Sequence, residues 1–186
     1  MRIAVVIASD AGAQLAGKIR QELGKEVRVF SVGRRENCEQ IDSIAGFTGI
    51  HFHEYDAFVF IGAMGICVRA IAPCLKTKYA DPAVVNIDAA GQFVVSVLSG
   101  HVGGANKLTR RLAGLLGADP VVTTQSDVTG LWALDLLAGE YGWKTEHCGP
   151  MNRYIASFVN GCPTALLLDI KDRGTEFLER SRPEHV

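Results

Sequence analysis

FVFIG (residues 58–62) running into AMGICVRAIAP (63–73) is the stretch on which the fold turns. Residues 57–61 are apolar at every position, as expected of a strand covered on both faces, and Gly62 ends the run. Residues 63–75 then take helical spacing, and Pro73 falls inside the last turn. Proline lacks the amide hydrogen and clashes with the preceding turn, so this helix is predicted to be short. A buried strand that turns through glycine into a helix is the βα unit of a parallel sheet.

The same pattern extends in both directions. Upstream, residues 3–8 form a continuous apolar run, and Leu15, Ile19 and Leu23 then recur four apart, a strand feeding an amphipathic helix. Residues 27–32 read as a second strand, and after GRRENCEQ (33–40) a weaker helical segment is expected over 36–45. Downstream, 84–87 and 93–98 are β-rich and separated by DAAGQ (88–92), a hairpin spacing that predicts one antiparallel strand at a sheet edge. Leu108, Leu112, Leu115 and Leu116 make 103–117 helical with Gly117 at the C-cap, and 120–124 is another strand. Strands alternating with helices predict an α/β fold with a largely parallel sheet flanked by helices, in Rossmann-like or flavodoxin-like layering. Ligands in such folds sit beyond the carboxyl ends of the strands. Residues 131–143 and 149–161 read as further helices and TALLLDI (164–170) as a last strand before a charged tail. The chain is therefore expected to hold an N-terminal α/β domain over 1–142 and an incomplete second small α/β unit over 143–186.

With 186 residues, 48% hydrophobic and 21% charged, the chain has the composition of a globular protein. A net charge of −1 gives no basic field for nucleic acid or an anionic membrane. The start, MRIAVVIASDAG, has too short an apolar run for a signal peptide, and no stretch of about 18 apolar residues spans a bilayer. A cytoplasmic location is expected, with neither nucleic acid nor membrane as partner. Five cysteines (Cys38, Cys67, Cys74, Cys148, Cys162) without a CxxC pair suggest reduced thiols rather than a zinc site. Cys67 and Cys74, seven apart, are expected to share a buried helix face. His51 and His53 alternate as on a strand, but two histidines without a third ligand are read as surface residues, so no metal site is expected. GxGxxG, GxxxxGK[ST] and GxSxG are all absent, which argues against dinucleotide enzymes, P-loop nucleotidases and serine hydrolases.

Candidate site residues cluster at two glycine turns. Ser99, Gly100, His101, Gly103, Gly104 and Asn106 lie between a strand end and a helix start, where free amides and the helix dipole favour an anion. A tight turn with close helix packing explains the same glycines structurally. His101 is the one histidine in a glycine-rich turn, and an ordinary histidine titrates near neutrality, so it is the first choice for proton transfer; a histidine that only bonds a loop carbonyl is the other reading. Gly62, Ala63 and Gly65 make the other turn. Arg69 stands one helical turn beyond Gly65, among apolar neighbours, suited to hold a carboxylate. Lys78 and Asp81 follow in a loop, Asp88 closes the next strand, and Thr123, Thr124 and Asp127 form a hydroxyl-rich strand end. Asp127 reads equally as a helix cap.

Taken together, GAMGICVRAIAP (62–73), KTKYADPAVVNID (76–88) and SVLSGHVGGANKLTRRLAGLLGADPVVTTQSD (96–127) resemble the cobalt-precorrin-5A hydrolase family (CbiG) of the anaerobic cobalamin pathway. The resemblance is strongest over residues 1–142, and NRYIASFVNGCPTALLLD (152–169) is similar to the start of that family's middle region. It implies that water opens the δ-lactone of a cobalt-corrinoid, with a two-carbon fragment leaving as acetaldehyde. It implies no cofactor, since cobalt is carried by the substrate. The acetate and propionate arms of that substrate would meet Arg69, Lys78 and the glycine turns, and His101 would move the proton. Members of the family typically continue into a separate C-terminal domain, so a fused or separate C-terminal domain or another pathway enzyme is the implied protein partner. A corrinoid-holding scaffold domain is the alternative reading.

Overall fold

The computed structural model describes residues 1–146 and 149–186; Cys148 lies outside them. The chain divides into two compact units, residues 1–122 and 123–186.

The first unit is built on a seven-stranded sheet of order β3-β2-β1-β4-β5-β6-β7. Strands β1 (Ile3–Ile7), β2 (Val27–Val32), β3 (Glu39–Ile41), β4 (Ala57–Ile61) and β5 (Ala83–Ile87) are mutually parallel. β6 (Phe93–Leu98) runs antiparallel to β5, and β7 (Asp119–Val121) runs parallel to β6, so the last two strands are reversed relative to the rest. The period of two along each strand divides its side chains between two cores. Ile3, Val5 and Ile7 of β1 join Ala16 and Ile19 of α1 (Asp10–Leu23) and Leu108 and Leu112 of α4 (Ala105–Leu116) on one face. Ala4 and Val6 join Phe58 and Phe60 of β4, with Phe47 of α2 (Ile44–His51) and Cys67, Ala70 and Ile71 of α3 (Met64–Ile71), on the other. The result is the expected three-layer α/β arrangement. α3 stops at Ile71 and passes into a 3₁₀ turn over Ala72–Cys74, as Pro73 requires.

The helix expected over 36–45 is not formed. Residues 39–41 instead extend the sheet as edge strand β3, where Arg28 on β2 pairs with Glu39 through Nε at 2.8 Å and Nη2 at 2.5 Å; the helix begins at Ile44, capped by the Ser43 hydroxyl. An ionic cross-strand pair at an exposed edge overrides a weak helical pattern. His51 and His53 do not alternate on a strand. His51 ends α2 with Nδ1 2.7 Å from Glu54, and His53 Nε2 lies 3.2 Å from the Cys74 carbonyl.

The second unit holds α5 (Gln125–Thr129), α6 (Leu137–Tyr141), α7 (Met151–Val159) and α8 (Arg173–Arg180) around Trp132, Phe158 and Leu178. Trp132 stacks on Phe158 with ring centroids 5.8 Å apart, and its Nε1 donates to the Ser181 carbonyl and hydroxyl. The long helix read over 131–143 is limited to α6. TALLLDI is not in a ladder: Leu166 and Leu168 face the cluster, Leu167 is exposed, and no neighbouring strand is present among the described residues to pair with it. The tail forms α8, with a capping box in which Asp172 accepts from the Gly174 and Thr175 amides and the Thr175 hydroxyl oxygen accepts from the Asp172 amide.

Candidate functional site

The two glycine turns lie at opposite edges of the sheet. Both follow strand carboxyl ends, as read from the sequence, but β6 is reversed, so its carboxyl end meets the amino ends of β1, β4 and β5. The five residues of β5 separate the two edges by about 16 Å at about 3.3 Å per residue. Gly62, Ala63, Gly65, Arg69 and Asp88 belong to the carboxyl edge; Lys78, Asp81, Ser99, Gly100, His101, Gly103, Gly104 and Asn106 gather at the amino edge. Thr123, Thr124 and Asp127 fall in the second unit, where Thr124 is the N-cap of α5 and its hydroxyl donates to Asp127 in the first turn.

The amino-edge loop is held from several sides. Ser99 sits at φ +55 and its hydroxyl donates to the Asp81 carbonyl at 2.9 Å. The buried Asp81 carboxylate accepts from the Lys76 amide through both oxygens, at 3.0 and 3.1 Å. Asn106, also buried, accepts from the Ser96 hydroxyl at 2.7 Å. Gly103 leaves no room for a side chain: a Cβ there would overlap the Ser99 side chain and lie 2.8 Å from its carbonyl oxygen. Gly104 enters α4 at φ +84. The amides of Gly104, Ala105 and Asn106 donate to the carbonyls of His101, Ser99 and Gly100, so this helix start is capped by its own loop. The expected anion cradle of free amides is therefore not what these three groups make. Half-buried His101 stands on this fixed loop, at the same edge as exposed Arg2, Lys78, Tyr79 and Val102.

At the carboxyl edge, Gly62 adopts φ +148 and its amide donates to the Ile87 carbonyl at 2.8 Å. Arg69 folds back so that Nη1 lies 3.4 Å from the Gly65 carbonyl, which confirms their shared face. The Asp88 carboxylate is used by the β5–β6 hairpin, accepting from the amides of Ala90 at 3.0 Å and Phe93 at 2.6 Å. A cavity of about 190 Å³ opens between the sheet and α3, and a shallower groove of about 520 Å³ adjoins it. Burial pushes the Cys67 thiol, in the cavity wall, up to about 12, so this cysteine packs rather than attacks. Asn86 lines both hollows and is absent from the residues singled out above. The available signal is an asparagine inside the otherwise apolar strand AVVNI.

The first unit is thus a three-layer α/β domain that presents a histidine on a braced glycine loop. Comparison with known proteins narrows the class. Residues 47–127 match the family model described as cobalamin synthesis G N-terminal, and residues 132–186 match the cobalamin biosynthesis central region. A cobalt-precorrin-5A hydrolase of Priestia megaterium is 35% identical over 190 aligned positions, covering 98% of this chain and 51% of the relative. One of Salmonella typhimurium is 62% identical over 87 residues, covering 47% of this chain and 25% of the relative. A solved structure described as a cobalamin biosynthesis protein G homolog, from Sulfolobus solfataricus, shares the fold with a TM-score of 0.52 at 22% identity; the match covers 98% of this chain and 51% of that one. The chain belongs to the CbiG family, and it spans about half or less of the length of these relatives. No described helix is long and apolar enough to cross a membrane.

Proposed function

We propose that this chain acts in the cytoplasm, in the anaerobic route to cobalamin, as a cobalt-precorrin-5A hydrolase or its catalytic part. Water adds to the lactone carbonyl, the acyl–oxygen bond breaks, and the released alkoxide is protonated. That hydroxyl then loses its proton as the C–C bond to the ring breaks, the electron pair stays with the macrocycle, which takes up a proton, and acetaldehyde leaves. The sum is lactone plus water giving carboxylic acid plus acetaldehyde. Cobalt enters as part of the substrate, and no further cofactor takes part.

The observation that carries this reading is the bracing of His101 at the amino edge. The Ser99–Asp81 hydrogen bond, the buried Asn106 and the close packing at Gly103 fix its loop, which suits a group that takes a proton from water and returns it to the leaving oxygen. Lys78 and Arg2 supply positive charge at the same edge for the carboxylate arms, and exposed Tyr79 and Val102 offer apolar surface to the macrocycle. His101→Gln tests it. Corrinoid affinity is expected to stay within about twofold, while acetaldehyde release falls at least about 100-fold, the usual scale of a lost acid–base group. Release at the wild-type rate would remove His101 from the chemistry.

A further inference from the structure

The carboxyl-edge cavity stands apart from the histidine loop, and nothing in the proposed reaction uses it. Its wall is formed mainly by Phe60, Ile66, Cys67 and neighbouring aliphatic side chains, and it contains no lysine, arginine, aspartate or glutamate. The polar exceptions are Ser9, which caps α1 by accepting from the Gly12 amide at 3.1 Å, and Asn86.

Asn86 is 3% exposed, and its Nδ2 donates to the Gly62 carbonyl at 3.1 Å. That bond fixes which way the amide faces. Its Oδ1 is buried without a hydrogen-bond partner among the described residues. An orphaned acceptor of this kind costs stability of the order of a lost hydrogen bond and is rare in a packed interior. The interior here is otherwise well filled, with Phe58, Val84, Val85 and Ile87 on β4 and β5 fully buried.

The position reinforces the observation. β1 carries its crossovers to β2 on one side, while β4 lies on its other side, so the strand order reverses between β1 and β4. The cavity opens at the carboxyl ends of those two strands, between Ser9 and Gly62, which is where doubly wound sheets leave a crevice. Gly62 at φ +148 keeps the mouth free of a side chain. An apolar cavity of about 150 Å³ is large enough to admit benzene, so about 190 Å³ accommodates a group the size of a six-membered ring.

We propose that this cavity is a second binding site, taking a neutral, ring-sized, largely apolar group that donates one hydrogen bond to Asn86 Oδ1. An anion is disfavoured twice, by the apolar wall and by the unpaired acceptor Asn86 Oδ1.

Phenol, benzene and benzoate separate the terms of this proposal, read as amide chemical-shift changes at Gly62, Ile66, Cys67 and Ala89. Phenol is expected to bind about fivefold more tightly than benzene, the equivalent of one net neutral hydrogen bond, and benzoate not to bind. Asn86→Leu should erase the preference for phenol over benzene. Ile66→Trp, on the partly exposed rim and so tolerable to the fold, should block both neutral probes by filling the mouth. Benzoate binding as well as phenol, no shift with phenol up to 20 mM, or phenol binding unaltered by Ile66→Trp would each overturn the proposal.

Discussion

Three glycines of one segment should respond to alanine with different sizes and signs, and the structure sets the order. At Gly103 the new Cβ meets the Ser99 side chain and lies 2.8 Å from the Ser99 carbonyl oxygen and 3.4 Å from the Ala83 amide nitrogen, two backbone atoms that cannot rotate away. Overpacking of this kind costs about 1–3 kcal/mol. Moving Ser99 also breaks its hydrogen bond to the Asp81 carbonyl, about 1 kcal/mol more, so Gly103→Ala should cost about 2–4 kcal/mol. At Gly104 the added Cβ meets only Met1 Cε, at an ordinary 3.9 Å, but the residue sits at φ +84, and an alanine held in that left-handed conformation costs about 1–2 kcal/mol. Gly114, inside α4 with nothing within 4 Å of the added methyl, should gain about 0.5–1 kcal/mol through better helix propensity. Both tryptophans lie in the second unit, so their fluorescence does not report on this loop. Native-state exchange of the β5 amides does. A Gly103→Ala variant within about 0.5 kcal/mol of wild type, or a Gly104→Ala variant that loses more than Gly103→Ala, would refute the packing argument for the loop.

Other consequences are independent of this loop. The Asp172 carboxyl is held below its ordinary value of 3.8, chiefly by the Thr175 amide and then by the Trp143 indole. A depressed carboxylate stabilises above the unfolded value and loses that contribution as pH falls through the folded one. The α8 cap should therefore loosen below about pH 4, read as a change in Trp143 fluorescence, and Asp172→Asn should remove that acid step. Cys67 should resist iodoacetamide at pH 8 in the native protein while exposed Cys162 reacts, because burial holds the Cys67 thiol near 12; rapid native labelling at Cys67 would contradict its buried placement. Asn106→Leu should leave the Ser96 hydroxyl without its acceptor and weaken protection of α4 by about 1–3 kcal/mol in the same exchange experiment.

Strands β1, β2, β4 and the β5–β6 hairpin are legible in the sequence because each is an apolar or β-branched run bounded by glycine, aspartate or serine. β3 is not. Its three residues, Glu39, Gln40 and Ile41, carry no apolar run, and their placement depends on Arg28 of the neighbouring strand. TALLLDI shows the opposite case, a strand-like pattern that alternates inward and outward without acquiring a ladder. The candidate residues were visible one by one, but not their division. Reading both turns as strand carboxyl ends placed them together, whereas the hairpin, itself legible, carries the second turn to the other edge. Asn86 is not legible, because a single polar residue in AVVNI carries no pattern and its meaning lies in the cavity that it lines. The division at residue 122 follows from the packing of Trp132 with Phe158 and Leu178, which draws the segment before residue 142 into the second unit.

Acetaldehyde release from cobalt-precorrin-5A, measured anaerobically with this chain and with a longer relative as control, tests the central claim most directly. One acetaldehyde per corrinoid consumed is expected from this chain, and at least about 100-fold slower release from its His101→Gln variant. A corrinoid that binds this chain and stays intact, while the control releases acetaldehyde, would contradict the account and leave the scaffold reading in its place.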